Sequence, residues 1–334
     1  VLFPTNGVGF GHFTRLYSVA RRLRKRDPEL EIIFFTPMPT LHIPYSDDFP
    51  TYHLAGRYKH NNMTSSTWNM LVEEMLTLVF EVHKPKWFIF DGAFPYQGML
   101  NAINQEQSMK KIWLRRGMFK KRSSIPVDSI GFFDSIIHPK DAVERTVTEN
   151  IHSVNTESVS PITLIDYDEM LSRSDARNRL GIPLDCKVTY VQLGAGRINE
   201  IDSDIRVIVD CLLKDNDMYV IIGESMLGKR VNINLKRLRI IRDYPNAIYL
   251  NGIDYSVQAG GYNSFHEMRN MRLPTLFIPN LNTGMDDQLA RCKIAKEEGW
   301  GVVLNAVNTN TVNEALSKIY QLKSTPKFGK NGAD

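Results

Sequence analysis

Short runs rich in β-branched and aromatic residues alternate along this chain with stretches whose apolar residues recur at helical spacing. That alternation is the pattern of parallel β-α units, not of a sandwich or a bundle. Strands are predicted at Val1–Pro4, Glu31–Thr36, Trp87–Phe90, Lys111–Leu114, Lys187–Leu193, Met218–Ile222, Ala247–Leu250 and Thr275–Ile278. Helices fit between them. Gly11–Arg26 puts Leu16, Val19, Ala20 and Leu23 on one face and Arg21, Arg22, Arg24, Lys25 and Arg26 on the other, and Trp68–Val82 repeats the pattern.

The theme restarts once. From about Glu157 to Lys187 the chain reads as a linker, with prolines toward both ends and a short helix, SRSDARNRLG, bearing a Ser cap and a Gly stop. After it, the strand TYVQL and the turn GAG repeat the strand, glycine turn and helix of the N-terminus. The reading is an α/β protein of two Rossmann-like domains facing a cleft, residues 1–157 and 158–334, with ligands bound outside the carboxyl ends of the strands. A length of 334 residues, beyond the size at which one core stops growing, predicts two domains as well. The opening VLFPTNGVGFGH reads as a core strand already under way and lacks the segments of a signal peptide, so the natural chain is expected to start a few residues earlier. NGAD, after the loop KSTPKFGK, reads as the cap and first turn of a helix that continues.

Composition narrows the classes. At 43% hydrophobic and 23% charged the chain is neither disordered nor membrane-spanning, with no apolar run near the roughly 18 residues a span needs. A surplus of +4 is too small at this length for a dedicated nucleic-acid binder. Cys186, Cys211 and Cys292 form no CxxC pair, so neither a disulfide framework nor a zinc site is indicated, and a reducing, cytoplasmic setting fits. The histidines beyond the first lack HExxH or comparable ligand spacing, and DND at 215–217 reads as an ordinary turn, so no metal is expected.

Gly7, Gly9 and Gly11 follow the first strand and permit close backbone approach to a ligand. A dinucleotide fingerprint would need glycine where this chain has His12 and an acidic residue where it has Thr36, and no GK[ST] follows for a Walker loop. What remains is His12, in the first turn of a helix. The strand WFIF delivers Asp91 to the same sheet edge, where a carboxylate can fix one tautomer of the imidazole and stabilise its protonated form. Taken singly, His12 also reads as a solvated histidine and Asp91 as a strand-end turn residue.

The segment QAGGYNSFHEMRNMRLPTLFIPNLNTGMDDQ, Gln258–Gln288, carries most. Gly260 and Gly261 form a loop, Ser264 opens a helix that offers its N–H groups to a diphosphate, and Glu267 one turn in offers acceptors to both hydroxyls of a ribose. Asp287 and Gln288 follow the next strand as an acceptor and a donor for sugar hydroxyls.

The pattern GGYNSFHE…P…P…DQ resembles the donor-binding signature of UDP-sugar-dependent glycosyltransferases of the two-Rossmann GT-B fold, and GFGH is similar to the loop bearing their catalytic histidine, including that of the N-acetylglucosaminyltransferase forming lipid II. The resemblance implies His12 as the base for the acceptor hydroxyl and Asp91 as its orienting partner. It implies Gly260, Gly261 and Ser264 at the diphosphate, Glu267 at the ribose, and Asp287 with Gln288 at the donor sugar, with Asn263 among the donor-binding residues. Gly194, Ala195 and Gly196 would form the loop opening the second domain, with Arg197 a countercharge, and Gly9, Gly11 and Arg15 would belong to the acceptor loop. No cofactor beyond the UDP-sugar co-substrate is implied. Tyr262 stands where plant enzymes commonly have tryptophan, and their uracil-stacking segment is reduced to RDYPNAIYLNG, which leaves the base open.

The expected activity is inverting, metal-independent sugar transfer to a hydroxyl acceptor that is lipid-linked, a glycan or a small molecule. Three alternatives stand beside it. GFGHFTR also resembles the GxGHxxR loop of a UDP-sugar hydrolase, with Arg15 matching; a nucleotide-sugar epimerase shares the architecture; a non-catalytic sugar-nucleotide-binding module would need neither His12 nor Asp91. LRRGMFKKR, with Arg115, Arg116, Lys120, Lys121 and Arg122, reads either as a solvated basic loop or as a peripheral contact with anionic membrane on its inner face.

Overall fold

The computed structural model describes residues 1–5, 9–116, 127–143, 154–194, 201–228, 230–283 and 286–334. Along the first half run β1 (Leu2–Pro4), α1 (Gly11–Arg26), β2 (Phe34–Thr36), α2 (His42–Ser46), β3 (Thr51–His53), α3 (Ser65–His83), β4 (Trp87–Asp91), α4 (Gln97–Gln105), β5 (Lys110–Leu114), β6 (Ser135–Pro139) and β7 (Asn155–Val159). The strands form a seven-stranded parallel sheet in the order β3-β2-β1-β4-β5-β6-β7. The order reverses at β1, so the loops after β1 and β4 open at a switch point, the place where such sheets bind ligands. The sequence predicts four of these strands. β3, β6 and β7 are short or polar, and β7, read as the start of the linker, is an edge strand whose first four residues are exposed.

The second half adds α5 (Arg173–Leu180), β8 (Lys187–Gln192), α6 (Asp202–Leu212), β9 (Met218–Gly223), β10 (Leu238–Ile241), β11 (Tyr255–Gln258), α7 (Tyr262–Met271), β12 (Thr275–Phe277), α8 (Gln288–Glu297), β13 (Gly301–Val303) and α9 (Thr309–Ile319). The sheet is six-stranded and parallel, β10-β9-β8-β11-β12-β13, with its switch point at β8 and β11. Ser172 caps α5 by accepting from the Asp175 N–H, and Gly181 closes it in the left-handed region, as the sequence predicts. Ala247–Leu250 is not a strand but part of a 3-10 helix, Asn246–Gly252, packed on α5. A short apolar run does not distinguish the two, and here Ala247, Tyr249 and Leu250 bury themselves within one helical turn. Among the described residues, those up to Ile162 with Gly332–Asp334 form one compact unit, and those from Thr163 to Asn331 another. The closing NGAD is no helix: the Asn331 amide donates to the Thr163 carbonyl and to Asp166, and Arg22 pairs with Asp334.

Each unit has its own core. In the first, Phe3, Phe88, Phe90 and Trp113 pack beneath Trp68, Val72, Leu76, Val79 and Phe80 of α3. In the second, Val191, Val220, Ile222, Val257 and Leu276 lie under Ile205, Ile208 and Leu212 of α6 and Val312 and Leu316 of α9. Burying such side chains contributes roughly 1.5–3 kcal/mol each, which fixes the sheets and therefore the loops at their carboxyl ends. The expected polar face of α1 is broken at Arg22, which lies with Arg15, seven residues before it, on the buried stripe.

Candidate functional site

In the first unit, β1 and β4 run side by side with Pro4 opposite Asp91, and the Thr5 N–H donates to the Asp91 carbonyl. Asp91 therefore stands beside the N-terminus of α1. Gly92 is required by packing, since a Cβ there would overlap the Thr5 side chain, and its carbonyl accepts from the Trp113 indole at 2.9 Å. His12 is the second residue of α1 and Arg15 the residue one turn on, so both project to the same side.

The three side chains meet on one carboxylate. Arg15 donates from Nε to Asp91 Oδ2 at 2.8 Å and from Nη2 to Oδ1 at 2.6 Å; His12 Nδ1 lies 2.7 Å from Oδ1 and 3.0 Å from Arg15 Nη2. Asp91 and Arg15 are 1% and 2% exposed, whereas His12 retains 21%. Burial alone would raise the Asp91 carboxyl, but Arg15 and His12 outweigh it and hold it below the ordinary range. An ionised oxygen at 2.7 Å takes a donor, and Arg15 Nη2, the other group near Nδ1, already donates to that oxygen, which favours the imidazole proton on Nδ1 and the lone pair on Nε2. His12 is shifted down from 6.5, by burial first, with Arg15 and Arg116 adding to it and Asp91 opposing. The expected stabilisation of the protonated ring is thus overridden by burial and two nearby cations, and neutral His12 dominates at neutral pH.

Arg15, expected in an acceptor loop, is instead buried behind His12 and offers almost no surface to an acceptor. Gly9 has open space where a side chain would stand, and neither it nor Gly11 has a left-handed backbone. Gly7 lies outside the described residues. Thr36 turns its hydroxyl onto the Pro4 carbonyl. Arg115 is a correction to the basic patch: it is 1% exposed, its guanidinium 5.2 Å from the Trp113 ring centre, so it presents no charge to a membrane surface. Arg116 is half-buried and acts on His12, while Lys120, Lys121 and Arg122 lie outside the described residues.

In the second unit the loop Ala259–Gly261 leads from β11 into α7. Gly260 takes φ +81°, and a Cβ there would overlap the Cys292 sulfur of α8, so both conformation and space require glycine. Gly261 is the N-cap of α7; it supplies no side-chain acceptor, and the first turn carries no acidic residue. Among the described residues no N-cap side chain accepts from the first turn of α7, the end of a helix that attracts an anion. The Ser264 hydroxyl donates back to the Gly261 carbonyl at 3.3 Å, while Asn263 Oδ1 is buried with no hydrogen-bond partner among the described residues.

Glu267 lies half-buried in the second turn of α7 and has neither an ion-pair nor a hydrogen-bond partner among the described residues. Burial pushes its carboxyl up to about 7. Its charge is felt by the buried Tyr190 phenol, whose hydroxyl accepts from Asn246 at 3.0 Å. A desolvated, unsatisfied acceptor of this kind is stabilised by any ligand that brings hydroxyl donors.

Asp287 caps α8, accepting from the Ala290 N–H at 3.1 Å, and Gln288 Oε1 accepts from the Asn280 N–H at 3.0 Å. Part of their capacity is thus spent on structure. Gly194 takes φ +94° after β8; Ala195, Gly196 and Arg197 lie outside the described residues. Sequence reasoning missed Arg291, fully buried, which donates to the Gly260 carbonyl at 2.6 Å and to Asp286 at 2.7 Å. Its signal was a cation inside an otherwise buried helix face, three residues after the DQ pair. At 215–217 the chain is a turn, with Asp215 accepting from the Asp217 N–H and from Lys187. Among the described residues no three His, Cys, Asp or Glu side chains converge as metal ligands, and no helix is long and apolar enough to cross a membrane.

No protein-family profile and no curated protein sequence matches the chain. Its fold has clear relatives. The structure of Acinetobacter baumannii MurG is 11% identical over 96% of this chain and 90% of that one, with a TM-score of 0.57. An S. aureus MnaA–UDP co-structure is 12% identical over 99% and 92%, TM-score 0.63. Spinosyn rhamnosyltransferase SpnG complexed with thymidine diphosphate is 10% identical over 96% and 91%, TM-score 0.60. With both parallel sheets matched along nearly the whole chain, the fold is of the two-Rossmann GT-B class.

Proposed function

We propose that this protein is an inverting, metal-independent glycosyltransferase that moves a sugar from a UDP-sugar to an acceptor hydroxyl. The observation that carries the reading is the His12–Asp91 contact: Nδ1 lies 2.7 Å from Oδ1 of the buried carboxylate and part of the ring stays open to solvent, which fits a neutral imidazole with its Nδ1 proton on Asp91 and its Nε2 lone pair turned away. The acceptor oxygen attacks the anomeric carbon as the bond to the diphosphate breaks, and the acceptor proton passes to His12 Nε2. The leaving diphosphate takes its hydrogen bonds from the uncapped N-terminus of α7, with Gly260 and Gly261 allowing close approach and Asn263 and Ser264 beside them. Glu267 accepts from the ribose hydroxyls. Asp287 and the Gln288 amide group bind the sugar, and the loop from Gly194 through Ala195 and Gly196 to Arg197 adds a countercharge at the phosphates. Solved relatives with UDP and with thymidine diphosphate make the base the first variable to test.

Residues 1–157 would receive the acceptor and residues 158–334 the donor, in a cytoplasmic protein whose Arg116, Lys120, Lys121 and Arg122 contact anionic lipid at the inner face when the acceptor is lipid-linked. A second reading is favoured by one observation, the Arg15 clamp on Asp91, which completes the GxGHxxR pattern of a nucleotide-sugar hydrolase; water then replaces the acceptor. Nucleoside diphosphate release, measured over UDP- and dTDP-sugars with and without lipid, glycan and small-molecule acceptors, separates the readings. Release that depends on an acceptor supports transfer, release with free sugar and no acceptor supports hydrolysis, and binding without turnover leaves a binding module.

A further inference from the structure

We propose that Arg15 is the positioning residue for His12: its guanidinium fixes both oxygens of Asp91, and so determines which nitrogen of the imidazole faces outward and how readily it takes a proton. The assignment replaces a role in acceptor contact, which its burial forbids.

Three features carry it. The first is that the contact is two-pronged, Nε to one oxygen at 2.8 Å and Nη2 to the other at 2.6 Å, a geometry a planar fork achieves and a lysine does not. A carboxylate held by both oxygens cannot rotate, so only Oδ1 is presented to the ring. The second is spacing. Three residues apart on α1, His12 and Arg15 meet the same acceptor from one helix face, and Nη2 lies 3.0 Å from Nδ1. Nη2 spends its hydrogen on Oδ1 at 2.6 Å rather than on the ring, and a lone pair on Nδ1 would face the ionised Oδ1 at 2.7 Å, so the clamp favours the tautomer with Nε2 bare. The third is charge. The charged groups acting on His12 are Asp91 from β4, Arg15 from α1 and Arg116 beyond β5; Asp91 favours the imidazolium, the two arginines oppose it, and burial opposes it further. Asp91 by itself favours the protonated ring, which has no lone pair to act as a base. With Arg15 present, the same carboxylate orients the ring without charging it.

The test reads the imidazole directly, and so does not depend on the transferase reading on which the activity arm rests. His12 is followed by NMR in protein labelled with ¹⁵N-histidine, assigned by its loss in His12→Asn, across a pH titration of wild type, Arg15→Gln, Arg15→Lys and Asp91→Asn. Wild type is expected as the Nδ1–H tautomer with a midpoint below 6.5. Arg15→Gln removes a repelling cation and frees the carboxylate, so its midpoint moves up by on the order of one pH unit and the tautomers mix. Asp91→Asn moves it down, and Arg15→Lys lies between wild type and Arg15→Gln. In the activity arm the acid limb of kcat/KM follows the NMR midpoint while UDP affinity holds. A midpoint and tautomer unmoved in Arg15→Gln would overturn the proposal and leave Arg15 a structural ion pair. Should Arg15→Gln not fold, Arg15→Lys, which keeps the buried charge and Asp91 but loses the two-pronged contact, carries the test: mixed tautomers support the proposal, and a single Nδ1–H tautomer with the wild-type midpoint overturns it.

Discussion

The Arg291 guanidinium of α8 donates at 2.6 Å to the carbonyl of Gly260, the residue whose left-handed turn starts α7. The loop proposed to cradle the diphosphate is thus held from behind by a buried cation that also pairs with Asp286. Arg291→Ala should cost about 1–3 kcal/mol of stability, because it strips a half-buried carboxylate and a carbonyl of this donor. Arg291→Lys should cost less and weaken nucleotide binding more than its loss of stability suggests. Thermal unfolding with calorimetry of UDP binding checks both, and unchanged affinity in a folded Arg291→Ala would detach this contact from the site.

Gly260 itself gives a second test. An alanine there meets strain at φ +81° of order 1–3 kcal/mol and also overlaps Cys292 Sγ. Gly260→Ala should therefore be destabilised, and adding Cys292→Ala should recover the overlap but not the strain. Full recovery in the double mutant would show that the backbone conformation costs nothing.

Glu267 links pH to nucleotide binding. Burial alone holds its carboxyl near 7, above the ordinary 4.5, and ribose hydroxyls donate best to the ionised form. A bound nucleotide should pull that value down, so binding near neutral pH releases a proton and affinity falls as pH drops through about 7. Glu267→Ala should lose about 1.5–3 kcal/mol of UDP binding together with the proton release. Calorimetry in buffers of different ionisation enthalpy measures the proton count directly; zero protons in wild type removes Glu267 from the ribose.

What the sequence made legible follows from where polarity breaks a pattern. Asp91 ends an apolar strand and His12 begins a helix, so both stood out although they are 79 residues apart. The Gly260–Glu267 run was legible for the same reason. β11 was not, because Ser256 and Gln258 are fully buried despite being polar, while the apolar AIYL run nearby imitated a strand. Arg15, Arg22, Arg115 and Arg291 misled in one way: Arg15 was read as part of an acceptor loop, Arg22 and Arg115 as surface cations, and Arg291 was passed over, yet each is buried. A guanidinium enters a core when acceptors and rings surround it, and those come from residues distant in the chain.

Burial of Arg115 sharpens the membrane test. If the remaining cations Arg116, Lys120, Lys121 and Arg122 meet anionic lipid, vesicle binding should need acidic headgroups and fade with salt. Arg115→Gln should destabilise the fold without altering the salt dependence, whereas Lys120→Gln/Lys121→Gln should flatten it. Co-sedimentation that ignores acidic lipid at low salt would leave the acceptor in solution.

His12 and Asp91 set the last expectation. His12→Ala should lower turnover by about 10² to 10⁴, the usual worth of a positioned base, while UDP affinity stays near wild type because the nucleotide contacts belong to the other unit. Asp91→Asn should lose less, since the imidazole remains but its orientation and tautomer are no longer enforced. The double mutant should match His12→Ala, because two residues serving one proton transfer do not contribute independently. The pH profile carries the sign: His12 acts only when neutral, and its midpoint lies below 6.5, so wild-type activity should persist through neutrality and fall on the acid side below that value. Steady-state rates of diphosphate release across pH measure all three effects. A near-normal rate in His12→Ala, or an acid limb unchanged by Asp91→Asn, would assign the proton to another group and leave this cluster to hold α1 against β4.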